Sequence, residues 1–235
     1  MEQVRLISVK KGIDAENRKV AADLRAKAAS SKTLLVNLMA SPGAGKTTLI
    51  LGTIAKLREK VRIGVIEADI DSTVDSEKVA AQGIKAVQLR TGGCCHLDAT
   101  MVASGLESLD LNSFDLIIIE NIGNLICPAG SDTGAGLNAM ILSVPEGDDK
   151  PLKYPLMFSI CDVLVVSKID YLDKSDFNMG LLRQRVLRLN PNVEIFEVSA
   201  KTGEGMNAWA QWLEDRVHQA GAPPTTTRTT RGSCG

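Results

Sequence analysis

Residues 34–50, LLVNLMASPGAGKTTLI, constrain the fold of this chain more than any other stretch. An apolar run long enough for one buried strand meets Pro42, Gly43, Ala44 and Gly45, and a Lys-Thr-Thr triplet then opens a helix. Small residues let the backbone curl with its N–H groups pointing inward, and the positive end of the following helix faces the same point. The stretch therefore predicts a phosphate-binding P-loop. In that arrangement Gly43, Ala44, Gly45, Lys46, Thr47 and Thr48 surround the phosphates, Lys46 neutralises β- and γ-phosphate oxygens, and the Thr47 hydroxyl holds Mg²⁺. Ala40 stands where the motif usually has its first glycine, and it is small enough to be tolerated. The competing reading is a glycine-rich turn that binds nothing; Lys-Thr directly after Gly45 argues against it.

Short apolar runs alternate with helical spacing along the rest of the chain. Residues 61–67, 114–120, 139–144, 163–167 and 193–198 read as strands, 86–89 as a weaker one, and 47–60, 97–109, 178–189 and 204–217 as helices, with another from about Val74. That alternation after a P-loop predicts an α/β fold, a doubly wound and mostly parallel sheet of the P-loop NTPase class. FDLIIIE at 114–120 is continuously apolar and is expected at the sheet centre. Residues 1–30 read as an N-terminal helical extension with a helix over 14–30 capped by Asp14, 31–218 as the P-loop domain, and 219–235 as a disordered tail. A chain of 235 residues needs no second catalytic domain. Its 27 Lys and Arg nearly balance 28 Asp and Glu, and aromatics are only 3%, so neither nucleic acid nor a membrane surface is an expected partner. No apolar run reaches the length of a membrane span and the N-terminus lacks a signal-peptide block, which predicts a cytoplasmic protein. Its five cysteines are then better read as ligands or core thiols than as disulfides.

Two later strand ends point to a guanine base. Ser167-Lys168-Ile169-Asp170 resembles the NKxD element of GTPases, in which the carboxylate accepts from guanine N1–H and the 2-amino group. Ser167 replaces the usual Asn, so one contact to the base is shortened or lost. Ser199-Ala200-Lys201 resembles the SAK element, whose backbone N–H approaches the guanine carbonyl oxygen. Carboxylates at other strand ends are candidates for the metal shell and for positioning the attacking water: Asp69, Asp71, Asp75 and Glu120. Asp69 joins Thr47 as a candidate Mg²⁺ ligand, and Asp75 and Glu120 join Lys46 as candidate catalytic residues. Asp71 with Ser72 and Thr73 also reads as a helix N-cap.

A second site is suggested by TGGCCHLDA, residues 91–99, which holds one of only two histidines beside two cysteines. Thiolate plus imidazole suits Zn²⁺ or Ni²⁺. The adjacent Cys95 and His96 cannot enclose an ion alone, and Cys127, just beyond the strand ending at Glu120, is the natural further ligand. Two or three ligands per chain are most easily completed across a two-fold axis, which predicts a homodimer. The competing reading is a pair of buried thiols with a helix-capping histidine. Cys161 is expected in the core, and Cys234 lies in the tail.

ASPGAGKTT, the CHLDA of 95–99, IENIGNLICPA and SVPEGDDKPLKYPLMF together resemble the HypB family, hydrogenase-maturation nickel-incorporation GTPases of the SIMIBI class, over about residues 30–217. The resemblance implies GTP hydrolysis with Mg²⁺, dimerisation with nucleotide, and Ni²⁺ or Zn²⁺ at the Cys95, His96 and Cys127 positions. It also implies two partners, a small zinc-containing nickel chaperone and the large subunit of [NiFe]-hydrogenase. Ala40, Ser167 and the extra Cys94 depart from the pattern, and no cysteine or histidine precedes Cys94, which argues against nickel storage. No assured arginine finger or water-positioning glutamine is visible, so intrinsic hydrolysis is expected to be slow. A urease-type accessory GTPase is disfavoured because Cys127 is followed by Pro128 and Ala129 instead of completing Cys-Pro-His. A P-loop small-molecule kinase and a metal-binding module without enzymatic activity are the remaining alternatives.

Overall fold

The strand that leads into the P-loop, β1 (Leu34–Ala40), is buried along its whole length because parallel neighbours and helices cover both edges and both faces. The computed structural model describes residues 9–69 and 74–221. The other strands are β2 (Ile63–Asp69), β3 (Lys85–Arg90), β4 (Leu116–Glu120), β5 (Leu137–Ser143), β6 (Val163–Ser167) and β7 (Glu194–Val198). They form one sheet of seven strands in the order β3-β2-β4-β1-β5-β6-β7, and every pairing is parallel. The mostly parallel sheet expected is thus wholly parallel among the described residues. Its centre is β1, and the FDLIIIE strand lies beside it. LIIIE is buried on both faces as its composition requires, but any strand one position from the centre carries the same apolar signature.

The helices are α1 (Val9–Ser30), α2 (Lys46–Leu57), α3 (Val74–Ala80), α4 (Ala99–Leu106), α5 (Lys150–Lys153), α6 (Pro155–Ile160), α7 (Met179–Leu189) and α8 (Met206–Gly221). Asp14 lies inside α1, which is already helical at Val9, so it does not mark the start of the helix. The helix predicted over 97–109 is shorter: Asp98 is its N-cap, accepting from the Met101 N–H at 2.9 Å, and it ends at Leu106. Three prolines divide the segment after β5 into a 3₁₀ turn, α5 and α6, each helix starting with a proline in its first turn, where a missing N–H costs nothing.

On one face α2 and α8 place Leu49, Ile50, Ile54, Trp209 and Leu213 against Val36, Leu38 and Ile118 of the sheet. On the other, α1 and α4 bury Ala21, Leu24 and Val102 with Leu35 and Ile117. Each fully buried Leu or Ile contributes about 1.5–3 kcal/mol. The Trp209 indole donates to the Thr53 hydroxyl of α2 at 2.9 Å, and Trp209 and Trp212 stack with ring centroids 5.6 Å apart. Strand order reverses at β1, between β4 on one side and β5 on the other, and ligands of such sheets bind outside the carboxyl ends of the strands at that point. No described helix is long and apolar enough to cross a membrane.

Candidate nucleotide and metal sites

The chain leaves β1 through Pro42, Gly43, Ala44 and Gly45 and enters α2 at Lys46. Gly43 and Gly45 have φ of 75° and 95°, a region closed to most side chains, so only glycine turns the backbone here without strain. Gly45 is the N-cap of α2 and offers no side chain, which leaves the first-turn N–H groups open to an anion.

Lys46 shares a cleft with Glu67, Asp69, Asp75, Glu120 and Asn121. The Thr47 hydroxyl lies 3.2 and 3.3 Å from the two Glu120 oxygens. Asp69 is half-buried at the end of β2, and Asp75, in the first turn of α3, pairs with Lys78 at 2.7 Å. Asp71, with Ser72 and Thr73, lies outside the described residues.

Glu67 is a site residue that the sequence alone does not single out. It was visible only as the end of an apolar run, yet β2 and β4 pair so that Glu67 stands directly opposite Glu120. Both carboxyls are buried, at 3% and 4% exposure, and Glu67 Oε1 has no hydrogen-bond partner among the described residues. Burial first, and the neighbouring Glu120 charge second, push the Glu67 carboxyl up to about 9; burial also raises Glu120. Two buried carboxyls beside a threonine hydroxyl, one with an unpartnered oxygen, form an oxygen donor set that suits Mg²⁺.

This pair has a consequence for stability. The folded chain keeps the Glu67 proton up to about pH 9, whereas the unfolded chain loses it near the ordinary value of 4.5. Between those values the folded state binds more protons, so stability falls as pH rises through that window. Glu67→Gln is therefore expected to be more stable than the parent by about 1 kcal/mol or more near pH 8, with the difference vanishing toward the ordinary carboxyl range. Urea unfolding without nucleotide or divalent cation measures it; equal stability near pH 8 would mean that the charge is already compensated.

A second cleft opens on the other side of the P-loop, lined by Ala44, Gly45, Thr48, Lys168, Asp170, Tyr171, Ser199, Ala200 and Lys201. Lys168 has φ of 59° and donates from Nζ to the Gly43 carbonyl at 2.6 Å. Ser167 is buried, and its hydroxyl donates to the Ala44 carbonyl at 2.7 Å, so it braces the P-loop from below. The Ser199 hydroxyl donates to Asp170 Oδ1 at 2.8 Å and fixes the carboxylate's orientation. The turn bearing Ser199, Ala200 and Lys201 closes through the Ser199 N–H on the Glu204 carbonyl at 2.9 Å and the Gly203 N–H on the Ser199 carbonyl at 2.8 Å. An oriented carboxylate in a narrow cleft can accept from two adjacent N–H groups of a flat base.

Beyond β3 and β4 the chain brings Cys95, His96 and Cys127 together, with one ligand atom from each lying within 4.8 Å of the others. All three come from one chain, so the cluster forms without a two-fold partner. The Cys95 sulfur is 3.6 Å from His96 Nδ1. Gly92 and Gly93, at φ of 59° and 105°, make the turn that presents the two residues. Cys94 and Cys95 are exposed and Cys127 partly so, and Asp98 caps α4, so buried thiols with a capping histidine do not describe this segment. A hydrogen bond with Cys127 holds the Cys95 thiol above its ordinary range. Two sulfurs and an imidazole suit a borderline-soft ion. Cys161 is buried, its thiol pushed up to about 12 by that burial, and it belongs to the core.

Residues 34–197 match the family described as CobW/HypB/UreG, nucleotide-binding domain. Hydrogenase maturation factor HypB of Rhizobium leguminosarum bv. viciae is 42% identical over 214 residues, which cover 91% of this chain and 72% of that protein. The chain belongs to the HypB family of hydrogenase maturation factors. Among solved structures, HypB from Helicobacter pylori in complex with nickel superimposes with a TM-score of 0.83 at 33% identity, over 88% of this chain and 98% of that one. HypB from Archaeoglobus fulgidus gives 0.81 at 36% identity, over 86% and 99%. The HypB fold and the P-loop NTPase architecture therefore coincide with what the strand order shows.

Proposed function

We propose that this HypB-family chain is a GTP-hydrolysing metallochaperone that carries nickel, or zinc, on Cys95, His96 and Cys127 and assists nickel insertion into the large subunit of [NiFe]-hydrogenase. The observation that carries this reading is the convergence of three soft ligand atoms within 4.8 Å on loops leaving the same end of the sheet as the P-loop.

In this reading the nucleotide lies across β1, its guanine between Lys168 and the Ser199–Lys201 turn and its phosphates over the start of α2. Asp170, held by Ser199, accepts from the base. Lys46 and the open N–H groups of α2 take the phosphate charge and hold the γ-phosphoryl group in line for attack. Thr47, Asp69 and Glu120, with Glu67 in the same cleft, would hold Mg²⁺, which when bound supplies positive charge to the phosphate oxygens. Asp75 and Glu120 line the side from which water attacks. Lys168 and Ser167 keep the P-loop backbone in place through the Gly43 and Ala44 carbonyls. No arginine lines this cleft among the described residues, and turnover is expected to be slow.

Ile126, next to Cys127, and Leu152 and Leu156 of α5 and α6 are large apolar side chains left 67%, 65% and 54% exposed. They support a homodimer that covers this surface when nucleotide or metal is bound, and the zinc-containing nickel chaperone and the hydrogenase subunit as partners that meet the same loops. Residues 31–218 form the GTPase unit in this reading, with 1–30 as the helical extension and 219–235 as the tail, except that residues 219–221 still belong to α8.

Nickel and zinc titrations of the full chain, with size measured in GDP and in a non-hydrolysable GTP analogue, test the reading. Binding of one metal ion per chain, phosphate release from GTP without any acceptor, and different nickel affinities in the two nucleotide states are the expected results. Phosphate transfer only to an added acceptor would favour a kinase, and metal binding without nucleotide binding would favour a non-enzymatic module.

A further inference from the structure

Asn124 stands in the connection leaving β4, three residues before Cys127, and its backbone N–H, its side-chain oxygen and its side-chain NH₂ each make a hydrogen bond. Its side-chain oxygen accepts from the Ile126 N–H at 2.8 Å and from the Cys127 N–H at 3.3 Å. Two donors on that oxygen settle which way the amide points, so the NH₂ group is what meets the Cys95 carbonyl, at 3.4 Å. Its backbone N–H donates to the carbonyl of Ala40, the last residue of β1, at 2.9 Å. The preceding residue, Gly123, lies against the P-loop so closely that an added Cβ would come within 2.9 Å of the Pro42 nitrogen. One residue thus touches the entry to the P-loop, the loop carrying Cys95 and the turn carrying Cys127.

An Asx turn closing the start of the 3₁₀ segment accounts for the two bonds to Asn124 Oδ1. It does not account for the donor on the Cys95 carbonyl, a contact between loops 29 residues apart in sequence.

We propose that Asn124 is the positioning residue of the metal site. Its side chain sets the separation of Cys95 from Cys127, and its backbone fastens both to the P-loop strand, so that the state of the nucleotide reaches the two sulfurs through this residue. The proposal rests on the metal reading given above. Groups that orient metal ligands without touching the metal typically change affinity by about 10–100-fold when removed.

The test is a Ni²⁺ titration of the full chain, followed by the thiolate-to-nickel charge-transfer band, for wild type, Asn124→Asp and Asn124→Ala, each with GDP and with a non-hydrolysable GTP analogue. GDP affinity is measured in parallel as the control for folding. Aspartate keeps the acceptor for the Ile126 and Cys127 N–H groups but sets an oxygen against the Cys95 carbonyl, so it removes one tether at constant size. Both variants are expected to bind Ni²⁺ about tenfold more weakly or worse, to keep GDP affinity within about twofold, and to show a smaller nickel-affinity difference between the two nucleotide states. Should Asn124→Ala lose GDP binding as well, Asn124→Asp decides. Wild-type nickel affinity and an unchanged nucleotide dependence in Asn124→Asp would overturn the role of Asn124 and leave the metal reading standing. Absence of nickel binding by the wild-type chain would overturn both.

Discussion

Asp170→Asn is expected to reduce the preference of the chain for GTP over xanthosine triphosphate by about a thousandfold or more, because a site built on hydrogen bonds rejects a base that leaves them unmade. Guanine presents two N–H groups to the carboxylate, whereas xanthine replaces the 2-amino group with a carbonyl. The Ser199 hydroxyl donates to Asp170 Oδ1, so an asparagine here keeps its oxygen toward Ser199 and turns its NH₂ to the base. That NH₂ repels the guanine amino group and satisfies the xanthine carbonyl. Competition between the two triphosphates for the wild-type and variant chains measures the switch. An undiminished preference for GTP in the variant would place the base away from Asp170.

Cys127→Ala is expected to lower nickel affinity by roughly a hundredfold or more, beyond the loss expected from an orienting group, since a ligand itself is removed. Cys95 and His96 are adjacent in the chain and cannot close around an ion without the sulfur that the β4 connection supplies. GDP affinity should be preserved, because Cys127 lines neither nucleotide cleft. Titration with Ni²⁺ in the presence of GDP reads the effect, and Cys161→Ala serves as the control because that thiol is buried away from the site. Equal losses from both substitutions would point to general destabilisation in place of ligand removal.

Strands and their order of chemistry were readable from the sequence because a parallel sheet buried on both faces writes itself as short β-branched runs, and because Pro42 to Gly45 interrupts one of them where a helix begins. The sheet centre was not readable, since LIIIE and LLVNLMA are equally apolar and only the pairing order separates them. Glu67 escaped for a related reason: its opposition to Glu120 is a matter of register between β2 and β4, which neither strand records alone. Alternation along β2 could have flagged it, as Glu67 shares a face with Asp69. Ser167 looked like a weakened base contact, and only the 2.7 Å bond to the Ala44 carbonyl shows what its hydroxyl does. Asn124 was hidden because its partners are backbone groups, two of them in the distant segments at Ala40 and Cys95, whose identity leaves no mark in residue type. Cys95, His96 and Cys127 were legible as a set, while their convergence within a single chain depended on the turn at Gly92 and Gly93.

The two tryptophans of the chain both lie on α8, stacked on each other and tied to α2 through Thr53. Ultraviolet emission from this protein therefore reports on the helix behind the phosphate cradle and not on the sulfur cluster. Nickel loading announces itself separately, through absorption by its thiolate bonds. The molecule thus carries two optical signals of different origin, and a single stopped-flow mixing experiment can follow α8 and the metal site side by side without any attached dye.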